Sequence, residues 1–215
     1  MTKHKAAIFD MDGLIIDSEP IWEVAEINVF SKLGVPLTRP MTKQTMGFRV
    51  DNVVEHWYAQ YPWENYNREQ VEKDIVKNVT ELIELNGESR EGIVEILQLF
   101  KDNNIPLGLA SSSYLSVINA VLKRFNITYF FDVVYSAEEE QYGKPHPGVY
   151  ITTAKKLGVA PEDCIAFEDS FNGVLSAKSA RMKCVAVPDK KLPEDKRFCI
   201  ADQILPSLLA YKLEQ

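Results

Sequence analysis

Short apolar runs that stop abruptly constrain this chain more than any other feature: 6–9, 105–110, 131–134, 165–167 and 184–187. Each is bounded by Pro, Gly, Ser or acidic residues, as strands buried in a parallel sheet are. Helix-length segments at 114–125, 146–157 and 172–180 separate the later runs. Strands alternating with helices predict an α/β fold with a three-layer Rossmann-like core. Its crossovers should be right-handed, which puts helices on both faces of a parallel sheet.

The interval between the first and second runs breaks this rhythm, because it reads as helix only. Segment 20–33 carries Ile21, Val24, Ala25, Ile27, Val29 and Phe30 and ends at Gly34; 50–61 is a second helical stretch. Segment 67–85 places Val71, Ile75, Val79 and Leu82 on one face, capped by Asn67 and stopped by Asn86-Gly87. A crossover of this length exceeds one helix. The expected organisation is a catalytic core of residues 1–15 and 88–215 with an inserted all-helical cap of residues 16–87.

The first run ends at Asp10-Met11-Asp12-Gly13, where open α/β sheets place ligands. By itself this is weak, since two carboxylates in a turn are common. A calcium loop is disfavoured, because no further acidic ligands follow at its spacing. Three other segments strengthen it. Ser111, Ser112 and Ser113 follow the second run and open a helix, where hydroxyls and free N–H groups cap the helix or meet a phosphate. Lys144 stands between Gly143 and Pro145-His146-Pro147, and Glu168-Asp169-Ser170 closes the fourth run. Hard carboxylate oxygens suit a divalent cation, although they also cap helices. If Asp10 and Asp169 share an ion, the first and fourth strands must be neighbours, with the second strand on the other side of the first.

These four segments, in this order and with Asn172-Gly173 following the last, resemble the motifs of the haloacid dehalogenase phosphohydrolase superfamily, in its helical-cap branch. The resemblance covers essentially the whole chain. It implies Asp10 as nucleophile and Asp12 as general acid/base, with an aspartyl-phosphate intermediate. Mg²⁺ is then the cofactor, held by Asp10, the backbone carbonyl of Asp12 and Asp169. Ser111 and the N–H of Ser112 would bind phosphate oxygens, and Lys144 would offset the charge between nucleophile and phosphate. Glu168 would orient Lys144 or a metal-bound water, and Asn172 would support the same loop. Arg90-Glu91-Gly92 departs from relatives, which often carry proline before the glycine; this is expected to leave the chemistry untouched.

Among members, the similarity is to bacterial hexitol and 2-deoxyglucose-6-phosphate phosphatases, carried by Asp17-Ser18-Glu19-Pro20-Ile21-Trp22, Trp57-Tyr58 with Pro62-Trp63, and Phe167-Glu168-Asp169-Ser170. It implies a small sugar or sugar-alcohol phosphate as substrate. Glu19 and Trp22 are expected to face the site. Arg49, in Met46-Gly47-Phe48-Arg49, could contact sugar hydroxyls or phosphate, or simply be solvated. The aromatics Trp57, Tyr58, Tyr61, Trp63 and Tyr66 read as cap core rather than a sugar platform. A β-phosphoglucomutase-like mutase is the first rival, but such enzymes carry a histidine about where Trp22 stands. The dehalogenase branch needs neither Asp12 nor Asp169. A receiver-type binding module lacks the cap and an acid placed like Asp12.

Composition narrows the partners. The net charge of −7 argues against a non-specific nucleic-acid binder. No apolar run approaches the ~20 residues of a membrane span, and the Met1-Thr2-Lys3-His4-Lys5 start does not read as a signal peptide. The cysteines, Cys164, Cys184 and Cys199, read as reduced thiols, and the histidines His4, His56 and His146 share no zinc-ligand spacing. A cytoplasmic monomer acting on a small phosphorylated metabolite, without nucleic-acid or membrane partners, is the expectation.

Overall fold

The computed structural model describes residues 4–45, 47–189 and 195–213. Its strands are β1 (Ala6–Phe9), β2 (Leu107–Ser111), β3 (Val133–Ser136), β4 (Cys164–Glu168), β5 (Lys183–Ala186) and β6 (Gln203–Ile204). They form one parallel sheet in the order β3-β2-β1-β4-β5-β6. β1 therefore lies between β4 and β2, as the motifs require.

The helices are α1 (Glu19–Lys32), α2 (Arg39–Thr42), α3 (Val50–Gln60), α4 (Arg68–Asn86), α5 (Ile93–Asp102), α6 (Leu115–Arg124), α7 (Gly148–Leu157) and α8 (Phe171–Ser179). Strand side chains alternate between faces. Phe9, Leu109 and Phe167 pack with Phe100 of α5 and Val121 of α6, whereas Ile8, Ala166 and Cys184 pack with Tyr150 of α7 and Val174 of α8. Phe9 stacks on Phe167 with centroids 4.6 Å apart, which ties β1 to β4 directly below the motif loops.

Strands β2 and β3 each begin two residues later than the apolar runs suggest. Pro106 has no N–H to give a ladder, and the Asp132 carboxylate accepts from Leu107 N at 2.8 Å. Phe131 ends a 3₁₀ turn at Thr128–Phe130 as its C-cap rather than opening the strand. Both strands instead run on into Ser111 and Ser136. Helix α5 lies outside the segments expected to be helical, although Ile93, Ile96, Leu97 and Phe100 repeat at helical spacing and are all buried. The two residues of β6 are too few to carry a pattern.

Between β1 and β2, α1 packs on α4, and α4 also packs on α3 and on α6. Asn67 caps α4, its side chain accepting from Gln70 N at 3.1 Å. The apolar stripe of α4 runs Val71, Ile75, Val79 and Ile83, so it ends on Ile83 rather than Leu82. The outgoing and returning segments are stitched together: Asp17 N donates to Glu88 O at 3.0 Å and Arg90 N to Ile15 O at 2.8 Å. Trp57 is fully buried, and Trp63 packs edge-on against Phe30 and Tyr58. Cys164 and Cys184 are buried free thiols and Cys199 an exposed one. Among the described residues, no helix is long and apolar enough to cross a membrane.

Candidate active site

The β1, β2 and β4 ends, with the Lys144 loop, bring Asp10, Asp12, Ser112, Lys144 and Asp169 to one cavity of about 850 Å³, while Ser111 and Glu168 are fully buried and outside its lining. Asp10 continues β1, its N–H donating to Phe167 O at 3.0 Å, and its side chain is almost fully buried. Gly13 follows with φ +77°, and a Cβ there would lie 1.9 Å from Asp169 Oδ2. Only glycine allows both that backbone turn and that close approach.

Lys144 is the electrostatic centre. Its Nζ donates to Asp10 Oδ1 at 2.6 Å, Glu168 Oε1 at 2.7 Å and the Ala110 carbonyl at 3.2 Å. Glu168, completely buried, also accepts from the Tyr150 hydroxyl at 2.6 Å. Burial opposes the charge on Lys144, but Asp10 and Glu168 outweigh it and hold the ammonium above its ordinary value. Burial and the Glu168 charge push Asp10 up to about 7 despite the lysine. Burial, then Asp10 and Glu168, drives Asp169 well above the usual carboxylate range.

Asp10, Glu168 and Asp169 offer oxygens that all lie within 4.8 Å of one another. Three carboxylates against one ammonium leave an excess of two negative charges when all are ionised. An all-oxygen donor set with that excess fits a hard divalent cation.

Asp12 points away from this cluster into a ring of donors. Its Oδ1 accepts from Ser18 Oγ at 2.7 Å and Trp22 Nε1 at 3.0 Å, and its Oδ2 from Ser113 Oγ at 2.7 Å and Ser111 Oγ at 3.4 Å. Ser18 and Ser113 were not singled out in the sequence. Their only signal is place: one starts the first inserted helix and the other ends the serine cluster. Ser111 is buried, its oxygen also accepting from Ser113 N at 3.0 Å, while Ser112 and Ser113 line the cavity. Asn172 lines it as well, in the first turn of α8, which Ser170 caps.

Helix α1 supplies the opposite wall with Glu19, Trp22, Glu23 and Glu26. Burial, then Asp12 and the neighbouring acids, pushes Glu19 up to about 7. Arg49 does not join them. Its guanidinium pairs with Asp51 and donates to the carbonyls of Glu140 at 2.9 Å and Ala137 at 3.4 Å, and its chain lies over Gly143. Of the two readings open for Arg49, a ligand contact or a solvated side chain, the structure shows neither; it ties the start of α3 to the loop that carries Lys144. Asp51, two residues away, and the loop carbonyls take up its donors. Met46 of the same segment lies outside the described residues.

A parallel sheet carrying two aspartates beyond β1 and a buried Lys–Asp–Glu cluster beneath inserted helices defines a Rossmann-like hydrolase class. The family model for haloacid dehalogenase-like hydrolases matches residues 7–187, and the chain belongs to that family. It is 44% identical over 204 residues to hexitol phosphatase B of Escherichia coli strain K12, covering 94% of this chain and 92% of that protein. It is 31% identical over 191 residues to β-phosphoglucomutase of Bacillus subtilis, covering 85% and 83%. Among solved structures, CbbY from Rhodobacter sphaeroides in complex with phosphate superimposes with a TM-score of 0.89 over 96% of each chain; at 23% identity this shows the fold alone.

Proposed function

We propose that this chain hydrolyses the phosphate monoester of a small sugar or sugar alcohol. The observation that carries the reading is the opposed pair at the cavity floor: Asp10 held by buried Lys144, and Asp12 held in a ring of hydroxyls. Asp10 attacks phosphorus; a P–O bond forms to its carboxylate as the ester P–O bond breaks, and the departing alkoxide takes the Asp12 proton. Water then attacks the aspartyl-phosphate, Asp12 takes its proton, and phosphate leaves with Asp10 restored.

The ring around Asp12 suits this alternation. Ser18, Ser111 and Ser113 hydroxyls can rotate to donate to the carboxylate or to accept from the acid. Trp22 can only donate, and so cannot take up a proton. A histidine is what the mutase rival requires near this place, so the indole supports hydrolysis over phosphoryl return.

Asp10, Asp169 and the Asp12 carbonyl are the groups we assign to Mg²⁺, with Glu168 engaged by Lys144 and Tyr150. When bound, the ion offsets the repulsion between carboxylate and phosphate. Ser111, the N–H of Ser112 and Lys144 are assigned to the phosphate oxygens, with Asn172 supporting the loop after β4. Residues 16–87 act as a cap that closes the cavity to water. We read the protein as a cytoplasmic monomer.

The test is phosphate release from p-nitrophenyl phosphate, with and without EDTA. Metal-dependent multiple turnover that Asp10→Asn abolishes is expected. Turnover retained by Asp10→Asn overturns the nucleophile. A single phosphorylation that persists indicates a receiver, and glucose 6-phosphate formed from β-glucose 1-phosphate without phosphate release indicates a mutase.

A further inference from the structure

Glu26 lies in the buried stripe of α1, beside Ala25 and one turn before Phe30. Only 7% of it is exposed, and its Oε2 has no hydrogen-bond partner among the described residues. It nevertheless lines the cavity. Two hydroxyls that line the cavity already donate elsewhere, Thr42 Oγ1 to Arg39 O at 2.8 Å and Thr45 Oγ1 to Thr42 O at 3.1 Å. Val50, Val53 and Ile75 line the same cavity and offer no polar side-chain atom. A buried acid without a partner is costly to the fold, and an apolar side chain would fill the position more cheaply. A partner for that oxygen can come only from what enters the cavity, water or ligand.

Direction along the helix says which part of a ligand that partner is. Trp22 hydrogen-bonds Asp12, the group assigned to the ester oxygen. Glu26 stands four residues further on, about 6 Å along the axis. Glu23, between them, also lines the cavity. A leaving group whose ester oxygen is at Asp12 therefore runs past Trp22 and reaches Glu26 only if it is long. A carboxyl suits hydroxyl protons, whereas the apolar residues beside it suit a carbon chain.

We infer that Glu26 is a specificity-determining residue that hydrogen-bonds the hydroxyl farthest from phosphorus on an extended polyhydroxylated leaving group. This rests on the phosphatase reading and adds the end of the cavity that measures substrate length. Glu26 selects a hexitol phosphate over glycerol 3-phosphate because the shorter ester leaves its carboxyl unpaired.

The experiment compares kcat/KM for sorbitol 6-phosphate and glycerol 3-phosphate in the Mg²⁺-loaded wild type, Glu26→Gln and Glu26→Leu. The hexitol-to-glycerol ratio should fall ten- to hundredfold in Glu26→Leu and less in Glu26→Gln, which keeps hydrogen-bonding capacity. Thermal midpoints are measured alongside. A purely structural residue would lower them, whereas removal of an orphan acid should hold or raise them. An unchanged ratio overturns the inference. So does a ratio that falls only as the midpoint falls in both variants. Wild-type preference for glucosamine 6-phosphate over both esters, lost in Glu26→Leu, overturns it in favour of a cationic amine. If no ester is hydrolysed at all, calorimetric binding of the same two esters reads Glu26 without turnover. Loss of sorbitol 6-phosphate binding alone then supports the assignment, and equal weakening or no binding overturns it.

Discussion

The two walls of the cavity treat buried charge in opposite ways. On the sheet side every motif carboxylate but Asp169 has a named donor: Asp10 and Glu168 share Lys144, Tyr150 serves Glu168, and four donors serve Asp12. On the α1 side Glu19 is half-buried and Glu26 buried among other acids, and desolvation is the leading cause of their raised protonation. A satisfied network holds its groups in place before a ligand arrives, which is what chemistry at phosphorus needs. An unsatisfied wall leaves its hydrogen bonds for the ligand. The contrast separates the part of the site that reacts from the part that chooses.

The sheet-side network breaks hardest at Lys144. Lys144→Met fills the space but leaves Asp10 and Glu168 facing each other without a cation, since the lysine side chain is only 5% exposed between them. Activity should fall by roughly a thousandfold or more, as loss of a preorganised charge at the reacting centre does. Stability should drop by about 3 kcal/mol, as for any broken buried ion pair. Initial rates and urea unfolding measure the two. If both are barely altered, the paired wall is not what holds Asp10.

The unpaired wall should respond in the opposite sense, and to pH. Burial, then Glu19 and Glu23, pushes Glu26 from 4.5 up to about 8. A raised folded value means that Glu26 keeps its proton in the fold after the unfolded chain has released it. Its contribution is therefore fully present below pH 4.5 and is lost as pH rises through 8. Glu26→Gln cannot ionise, so it should gain on the wild type across this window, by roughly a few kcal/mol at pH 8.5 and by about 1 kcal/mol or less at pH 5. Thermal midpoints of both proteins at those pH values provide the measurement. A gap that stays constant or narrows with pH would mean that Glu26 has a partner after all.

This contrast also explains what is legible in the sequence. Asp10, Ser111 and Glu168 end or continue strands, so their meeting follows from strand order once the runs are recognised as a parallel sheet. Lys144 reaches them from a loop, and its place was readable only as one element of an ordered set. Ser18 and Ser113 are ordinary residues near helix starts, and nothing local marks them as partners of Asp12. Arg49 misleads because a cationic residue in a loop near the cavity reads as ligand-facing, whereas tertiary contacts turn it onto the Ala137–Glu140 carbonyls. Glu26 does carry a signal in the sequence: it interrupts the apolar face formed by Ile21, Ala25, Val29 and Phe30. A charged residue at that phase of an amphipathic helix has to find a partner or face a cavity.

Arg90 lies where the two walls join, and it sharpens the comparison with the smallest effect. In the sequence it reads as a departure without chemical consequence. In the fold its Nε donates to Gly13 O at 3.0 Å, and its terminal nitrogen reaches Asp189 at 2.8 Å and Asp17 at 3.3 Å. One guanidinium thus ties the loop after Asp12 to the outgoing segment of the insertion and to the loop beyond β5. The side chain is about a quarter exposed, so each ion pair is partly screened. Arg90→Ala should therefore cost only about 1 kcal/mol in unfolding. Its effect on turnover should be larger in KM than in kcat, a few-fold, because the Asp10 and Asp12 donors stay in place while the angle of the insertion loosens. Arg90→Lys keeps the charge but not the fork that spans Gly13 O and Asp189 together, so it should behave like the alanine variant. If lysine restores KM in full, the joint is held by charge alone, and the geometry of the fork plays no part in setting one wall against the other.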